Sequence, residues 1–221
     1  MLYRLLYRLA VFSKRLLAPL LPPAVRQSAK RTLLKLAFPI RQAAEASFNR
    51  DSNLREGVNL IGYARAEMGI GESCRIAARS MTAAGVEFGI LNFRGTNPAR
   101  MSDTTWVHKE TVQPSFDVNI FHINAEQMTE IYAYFGNRIF DGRYNIGYWH
   151  WELSDFPDIW LDGFSFLQEV WVPSTFVADS IALKSPVPVV KIGSSPLAMF
   201  SDQNCSINFQ KIFENRTREL V

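Results

Sequence analysis

Gly57-Val-Asn-Leu-Ile-Gly-Tyr63, then Ala64-Arg-Ala-Glu-Met-Gly-Ile-Gly71, then the run Glu72–Ala84 decide the fold class of this 221-residue chain. The first segment is a short apolar run bounded by glycine, which reads as a strand covered on both faces. The third carries apolar residues at helical spacing and stops at Gly85, a residue suited to the left-handed turn that ends many helices. Val86–Phe93 is the next strand. A strand, a crossover helix and a second strand make a βαβ unit, and that connection forces the two strands to run parallel.

The alternation continues outward. Arg94–Ser115 is polar and reads as a loop or irregular excursion. Phe116–Ile123 is again a strand, and Asn124 stands where it can cap a helix over Ala125–Phe135. Tyr144–Trp149, Glu169–Val172 and Val187–Ile192 are further strands, with helices expected over Pro157–Phe166 and Thr175–Lys184, the latter capped by Ser174. No internal repeat or low-complexity tract interrupts this order. The expectation is an α/β, Rossmann-like, mostly parallel sheet with helices on both faces, spanning residues 56–192. Such sheets collect ligands at the carboxyl ends of their strands, so the chemistry is sought there.

Residues 1–50 differ from this domain. They hold ten of the 24 Lys/Arg but one of the 21 Asp/Glu, giving a net charge of +9 against −6 for the remainder. Met1–Leu21 has apolar residues at helical spacing, yet Arg4, Arg8, Lys14 and Arg15 interrupt them far short of a membrane-spanning run. Arg8 and Lys14 also break the core a signal peptide needs. Leu21-Pro22-Pro23 stops that helix, and a second basic helix follows from about Ala24 to Ala46, with Pro39 as a kink. A basic amphipathic arm of this kind attaches to the anionic face of a cytoplasmic membrane, or it covers its own domain or a neighbour. It lacks the base-stacking aromatics of a nucleic-acid binder. Cys74 and Cys205 fit neither a metal nor a disulfide spacing, and a reducing cytoplasm is their simplest setting.

Two stretches carry candidate chemistry. The turn containing Gly69, Ile70 and Gly71 joins the first strand to its helix, where glycine lets backbone approach a ligand and free N–H groups meet phosphate. It departs from the dinucleotide fingerprint, because Cys74 occupies the third glycine position and Gly69 stands six positions after Tyr63. A plain turn remains the alternative. The second stretch, Tyr144-Asn-Ile-Gly-Tyr-Trp-His-Trp-Glu152, runs a strand directly into His150, Trp151 and Glu152 at its carboxyl end. Aromatic faces stack on sugar rings while His and Glu bond hydroxyls, and His122 and Asn124 leave the preceding strand toward the same crevice. The competing reading is an aromatic core with His150 as a satisfied buried polar group. Trp149 and Trp171 read as packing residues.

Taken in order, Gly62-Tyr-x5-Gly-Ile-Gly-Glu-Ser-x-Arg75, Phe121-His-Ile-Asn124, Gly147-Tyr-Trp-His-Trp-Glu152 with Phe156-Pro157 and Trp160, and Glu169-Val-Trp-Val-Pro-Ser174 resemble bacterial family 4 glycosyltransferases of the GT-B fold. The resemblance covers residues 56–192 and implies the N-terminal, acceptor-side domain of a retaining, nucleotide-sugar-dependent transferase that needs no cofactor or metal. It implies that Gly69, Ile70 and Gly71 approach the donor diphosphate, and that His150 lies near the transferred sugar, with His122 competing for that role. Asn124, Trp151 and Glu152 become contacts to a sugar, polysaccharide or lipid-linked acceptor. The family's donor domain carries a Glu-x7-Glu pair, and no Glu here is followed by another eight positions later. Residues 193–221 only partly resemble the crossing to such a domain, so a truncated product, inactive alone, is the expectation. Two other classes stay open: an NADP-dependent oxidoreductase using Arg94 for the 2′-phosphate, and a non-catalytic carbohydrate- or partner-binding remnant.

Overall fold

The computed structural model describes residues 22–37, 51, 53–95 and 97–192. The expected helix over Met1–Leu21, the part of the second helix beyond Ala37 and the tail 193–221 lie outside the described residues. Helix α1 spans Pro23–Ala37, and the domain proper begins with strand β1, Arg55–Gly62. Helix α2 (Gly69–Ala83), β2 (Phe88–Asn92), β3 (Phe116–His122), α3 (Ala125–Phe135) and β4 (Tyr144–Tyr148) follow. A 3-10 helix over Asp158–Phe166, β5 (Glu169–Val172), α4 (Thr175–Ala182) and β6 (Val189–Lys191) complete it. All six strands are parallel, in the order β2-β1-β3-β4-β5-β6. This is the expected α/β, Rossmann-like sheet.

Alternation along the strands splits the core in two. Val58 and Leu60 of β1, Ile120 of β3, Ile146 and Tyr148 of β4 and Trp171 of β5 face one way, against Cys74, Ala77, Ala78 and Met81 of α2. Ile61, Phe121, Trp149, Val170 and Val172 face the other way, under α3, the 3-10 helix and α4. Both faces of the sheet are therefore covered, which is why the strands read as unbroken apolar runs.

Several boundaries differ from expectation for local reasons. The helix expected over Pro157–Phe166 is present over Asp158–Phe166 and is of the 3-10 type. Helix α2 starts at Gly69 rather than Glu72, so the three residues read as a loop form its first turn. Gly85 does take a positive φ of 69° just past the end of α2. Ser174 caps α4 by accepting a hydrogen bond from the Val177 amide at 3.3 Å. The described residues of 94–115 are irregular apart from a 3-10 turn over Val107–Lys109 and a bridge between Ile90 and Glu110.

The described part of the basic arm rests on the domain. Leu34 and Ala37 of α1 are buried, Lys30 pairs with the buried Glu130 of α3 at 2.6 Å, and Lys35 pairs with Asp162 at 2.5 Å. Among the described residues no helix is long and apolar enough to cross a membrane.

Candidate functional site

The strand order places the site. From β1 the chain runs outward to β2, then crosses back to place β3 on the other side of β1, so the order reverses between β1 and β3. In open parallel sheets the crevice lies at the carboxyl ends flanking that reversal. Here the last residues of the two strands, Gly62 and His122, are register partners. A Cβ on Gly62 would stand 3.0 Å from both the Cys74 Sγ and the His122 Cβ, so this glycine lets α2 and the end of β3 pack closely against it.

Strand parity brings two histidines together. Ile120 and Ile146 are register partners on the α2 face, and alternation carries His122, Tyr148 and His150 to that same face. His122 stacks on Tyr148 with ring centroids 4.5 Å apart, and Tyr148 meets His150 edge-on at 5.2 Å. The Ser73 hydroxyl, one turn into α2, lies 3.4 Å from His122 Nδ1 and 3.3 Å from His150 Nε2. The Gly-Ile-Gly-Glu-Ser-x-Arg75 motif contains Ser73 without assigning it a role. The signal for it is its place four residues after Gly69, on the helix that must cover this face of β3 and β4.

Burial keeps this cluster uncharged. His122 is 3% exposed, and desolvation, helped by the nearby His150, pushes its pKa down to about 3. Burial also lowers the pKa of His150, against the opposing charge of Glu152. Both imidazoles are thus neutral at pH 7. The linkage follows from His122: between about pH 6.5 and 3 the unfolded chain binds one proton more than the folded chain, so stability falls as pH falls. Lowering the pH from 7 to 5 is expected to cost roughly 2 kcal/mol through His122. Urea midpoints measured at both values test this, and His122→Phe should lose that part of the slope.

Asn124 occupies the N-cap position of α3, but its side chain makes no cap. Its Oδ1 accepts a hydrogen bond from the His150 amide at 2.9 Å, tying the end of β3 to the turn after β4. The expected capping role is corrected to a crosslink that fixes His150. Glu152 is exposed beside His150. Trp151 is not brought to the histidines: it turns to the opposite face, crosses Trp160 edge-on at 4.8 Å, and donates its Nε1–H to the Asp155 carbonyl. Trp149 and Trp171 are core residues, 1% and 2% exposed.

The first turn of α2 completes the site. Met68 is its N-cap and its side chain makes no cap hydrogen bond, and Gly69 is exposed with no atom within 4 Å of a built Cβ. Helix amides left without a cap are an anion-binding feature. The negative charge of Glu72 is offset by Arg79 at 2.6 Å and Arg75 at 2.9 Å, which pair with its carboxylate and keep it ionised. Arg75 also donates to the Ala64 and Ala66 carbonyls, bracing the turn between β1 and α2. Cys74 is fully buried, with its thiol pushed up to about 12 by desolvation, and is inert. Among the described residues no group of three or more His, Cys, Asp or Glu side chains is arranged to hold a metal ion. Comparison of the chain with known protein families, curated proteins and solved structures finds no match.

Proposed function

We propose that this domain is the acceptor-side half of a nucleotide-sugar-dependent glycosyltransferase, working with retention of anomeric configuration. One observation carries it: the uncapped start of α2 opens at the strand-order reversal, directly beside the neutral Ser73–His122–His150 cluster. A glycosyl donor leaves behind a nucleoside diphosphate, so the reaction needs stabilisation of growing phosphate charge and a positioned acceptor. The amides of Gly69, Ile70 and Gly71 suit the first need. A neutral His150, held by Asn124, suits hydrogen bonding to a sugar hydroxyl, and the exposed Glu152 stands next to it. The donor nucleoside would be held from across the cleft, by a second domain of the kind the resembled family has.

The oxidoreductase alternative has less support. Arg94 is exposed at the outer edge of the sheet, and the turn from Tyr63 to Met68 is closed on itself by Arg75 rather than laid open for a dinucleotide. Titrating uridine and guanosine diphosphates, with NADPH as the comparison, into 15N-labelled full chain separates the two. Nucleoside diphosphate should move the Gly69–Ser73 amides and the His150 ring signals. Unmoved amides at millimolar nucleotide, or tighter binding of NADPH, would sink the transferase assignment.

A further inference from the structure

We infer that Ser73 is a positioning residue that locks His150 in one neutral tautomer, leaving its Nδ1 as a bare hydrogen-bond acceptor toward the cleft. The inference rests on the transferase reading only for what the Nδ1 would meet, a substrate hydroxyl. The lock itself follows from proton counting.

The Ser73 hydroxyl has one hydrogen and sits between two ring nitrogens, His122 Nδ1 and His150 Nε2. With one hydrogen and two lone pairs it can donate to at most one of them, which leaves three arrangements. In the first, Ser73 donates to His122 Nδ1 and accepts from His150 Nε2–H, so both rings carry hydrogen on Nε2. In the second, Ser73 accepts from His122 Nδ1–H and donates to His150 Nε2, so both rings carry hydrogen on Nδ1. In the third, Ser73 accepts from both His122 Nδ1–H and His150 Nε2–H. A free neutral imidazole side chain prefers the Nε2–H form, which the first arrangement satisfies twice, the third once and the second not at all. His150 carries its hydrogen on Nε2 in both favoured cases.

The surroundings leave this choice to Ser73. Among the described residues no protein group hydrogen-bonds His150 Nδ1, and Asn124 binds the backbone amide of His150 rather than its ring. Tyr148 meets both rings through its face and edge. Glu152 acts on His150 through its charge. The orientation set by Ser73 is therefore passed straight to Nδ1.

The same geometry rules out a longer proton wire. If His150 Nδ1 took a hydroxyl proton from substrate, Nε2 could release its own to Ser73 and Ser73 could pass one to His122. That would leave His122 as a cation in a site that desolvates it almost fully. The proton stops at His150, and Ser73 orients without relaying.

The chain has three histidines, so their ring nitrogens are separable in long-range 1H–15N spectra of the labelled full chain. At neutral pH His150 and His122 should each show one protonated Nε2 and one unprotonated Nδ1. In Ser73→Ala the His150 pattern should collapse to a tautomer average like that of a solvated histidine, and Ser73→Thr should restore the single form. Backbone spectra of both variants must match those of the parent, which separates loss of the lock from loss of the fold. A parent His150 protonated on Nδ1, or a His150 pattern unchanged in Ser73→Ala, overturns the inference. Neither outcome depends on nucleotide binding, so failure of the lock is distinguishable from failure of the transferase assignment.

Discussion

Asn119→Ala is expected to lower the unfolding free energy by about 3–5 kcal/mol, although no candidate functional residue touches the site of change. Asn59, Asn119 and Asn145 are register partners on β1, β3 and β4, each no more than 3% exposed. Their side-chain amides form a ladder: Asn59 donates to Asn119 Oδ1 at 2.9 Å, and Asn119 donates to Asn145 Oδ1 at 2.7 Å. The ends of the ladder are tied to backbone. Asn59 Oδ1 accepts from the amides of Ser115 and Phe116, Asn119 donates to the Ile139 carbonyl, and Asn145 donates to those of Phe140 and Arg143. Truncating the middle member strands a carbonyl, a carboxamide oxygen and part of an amide in a dry interior, and each carries its own desolvation penalty. A cavity is added to that. Equilibrium urea unfolding of Asn119→Ala beside the parent measures the loss. A change under about 1 kcal/mol would show that water enters and satisfies the stranded groups.

The ladder also shows what the sequence conceals. Asn59 and Asn119 sit inside runs that otherwise read as apolar strand, so periodicity locates the strands without revealing that three polar residues meet across them. Their meeting depends on register, and register is set by tertiary pairing. The ends of α3 and β5 are legible because composition marks them directly: Asn124 before Ala125–Phe135, and Pro173-Ser174 after Val172. The helix over Asp158–Phe166 is legible in its position but not in its 3-10 form, because its residues pack by aromatic contacts, Phe164 against Trp149 at 4.9 Å among them, rather than by a helical stripe. The site divides the same way. His122, His150 and Asn124 are visible as polar residues at strand ends, and parity predicts their common crevice. Ser73 and the turning away of Trp151 leave only a positional signal, since both depend on which side of the sheet a neighbouring helix covers.

Within the first turn of α2, two glycines that look equivalent in sequence should behave oppositely. A Cβ on Gly71 would lie 2.3 Å from the Ala66 carbonyl oxygen and 2.8 Å from that of Tyr63. Both obstacles are backbone, and that backbone is braced by Arg75, so no side chain can swing aside to relieve the clash. Gly71→Ala should therefore cost about 2–3 kcal/mol by forcing the turn off α2. Gly69 has no such demand: it sits at the start of the helix with nothing within 4 Å of its Cβ position and without a positive φ. Gly69→Ala should leave stability unchanged or raise it by up to about 1 kcal/mol. The open space beside Gly69 is where a diphosphate would approach the helix amides. The same substitution should weaken nucleoside diphosphate binding by about tenfold, a change of roughly 1.4 kcal/mol. Thermal unfolding and the amide titration, run on both variants, read the two effects separately. If Gly69→Ala binds nucleotide as the parent does, the glycine at that position serves only the turn, and the phosphate must be sought elsewhere along the β1–β3 crevice.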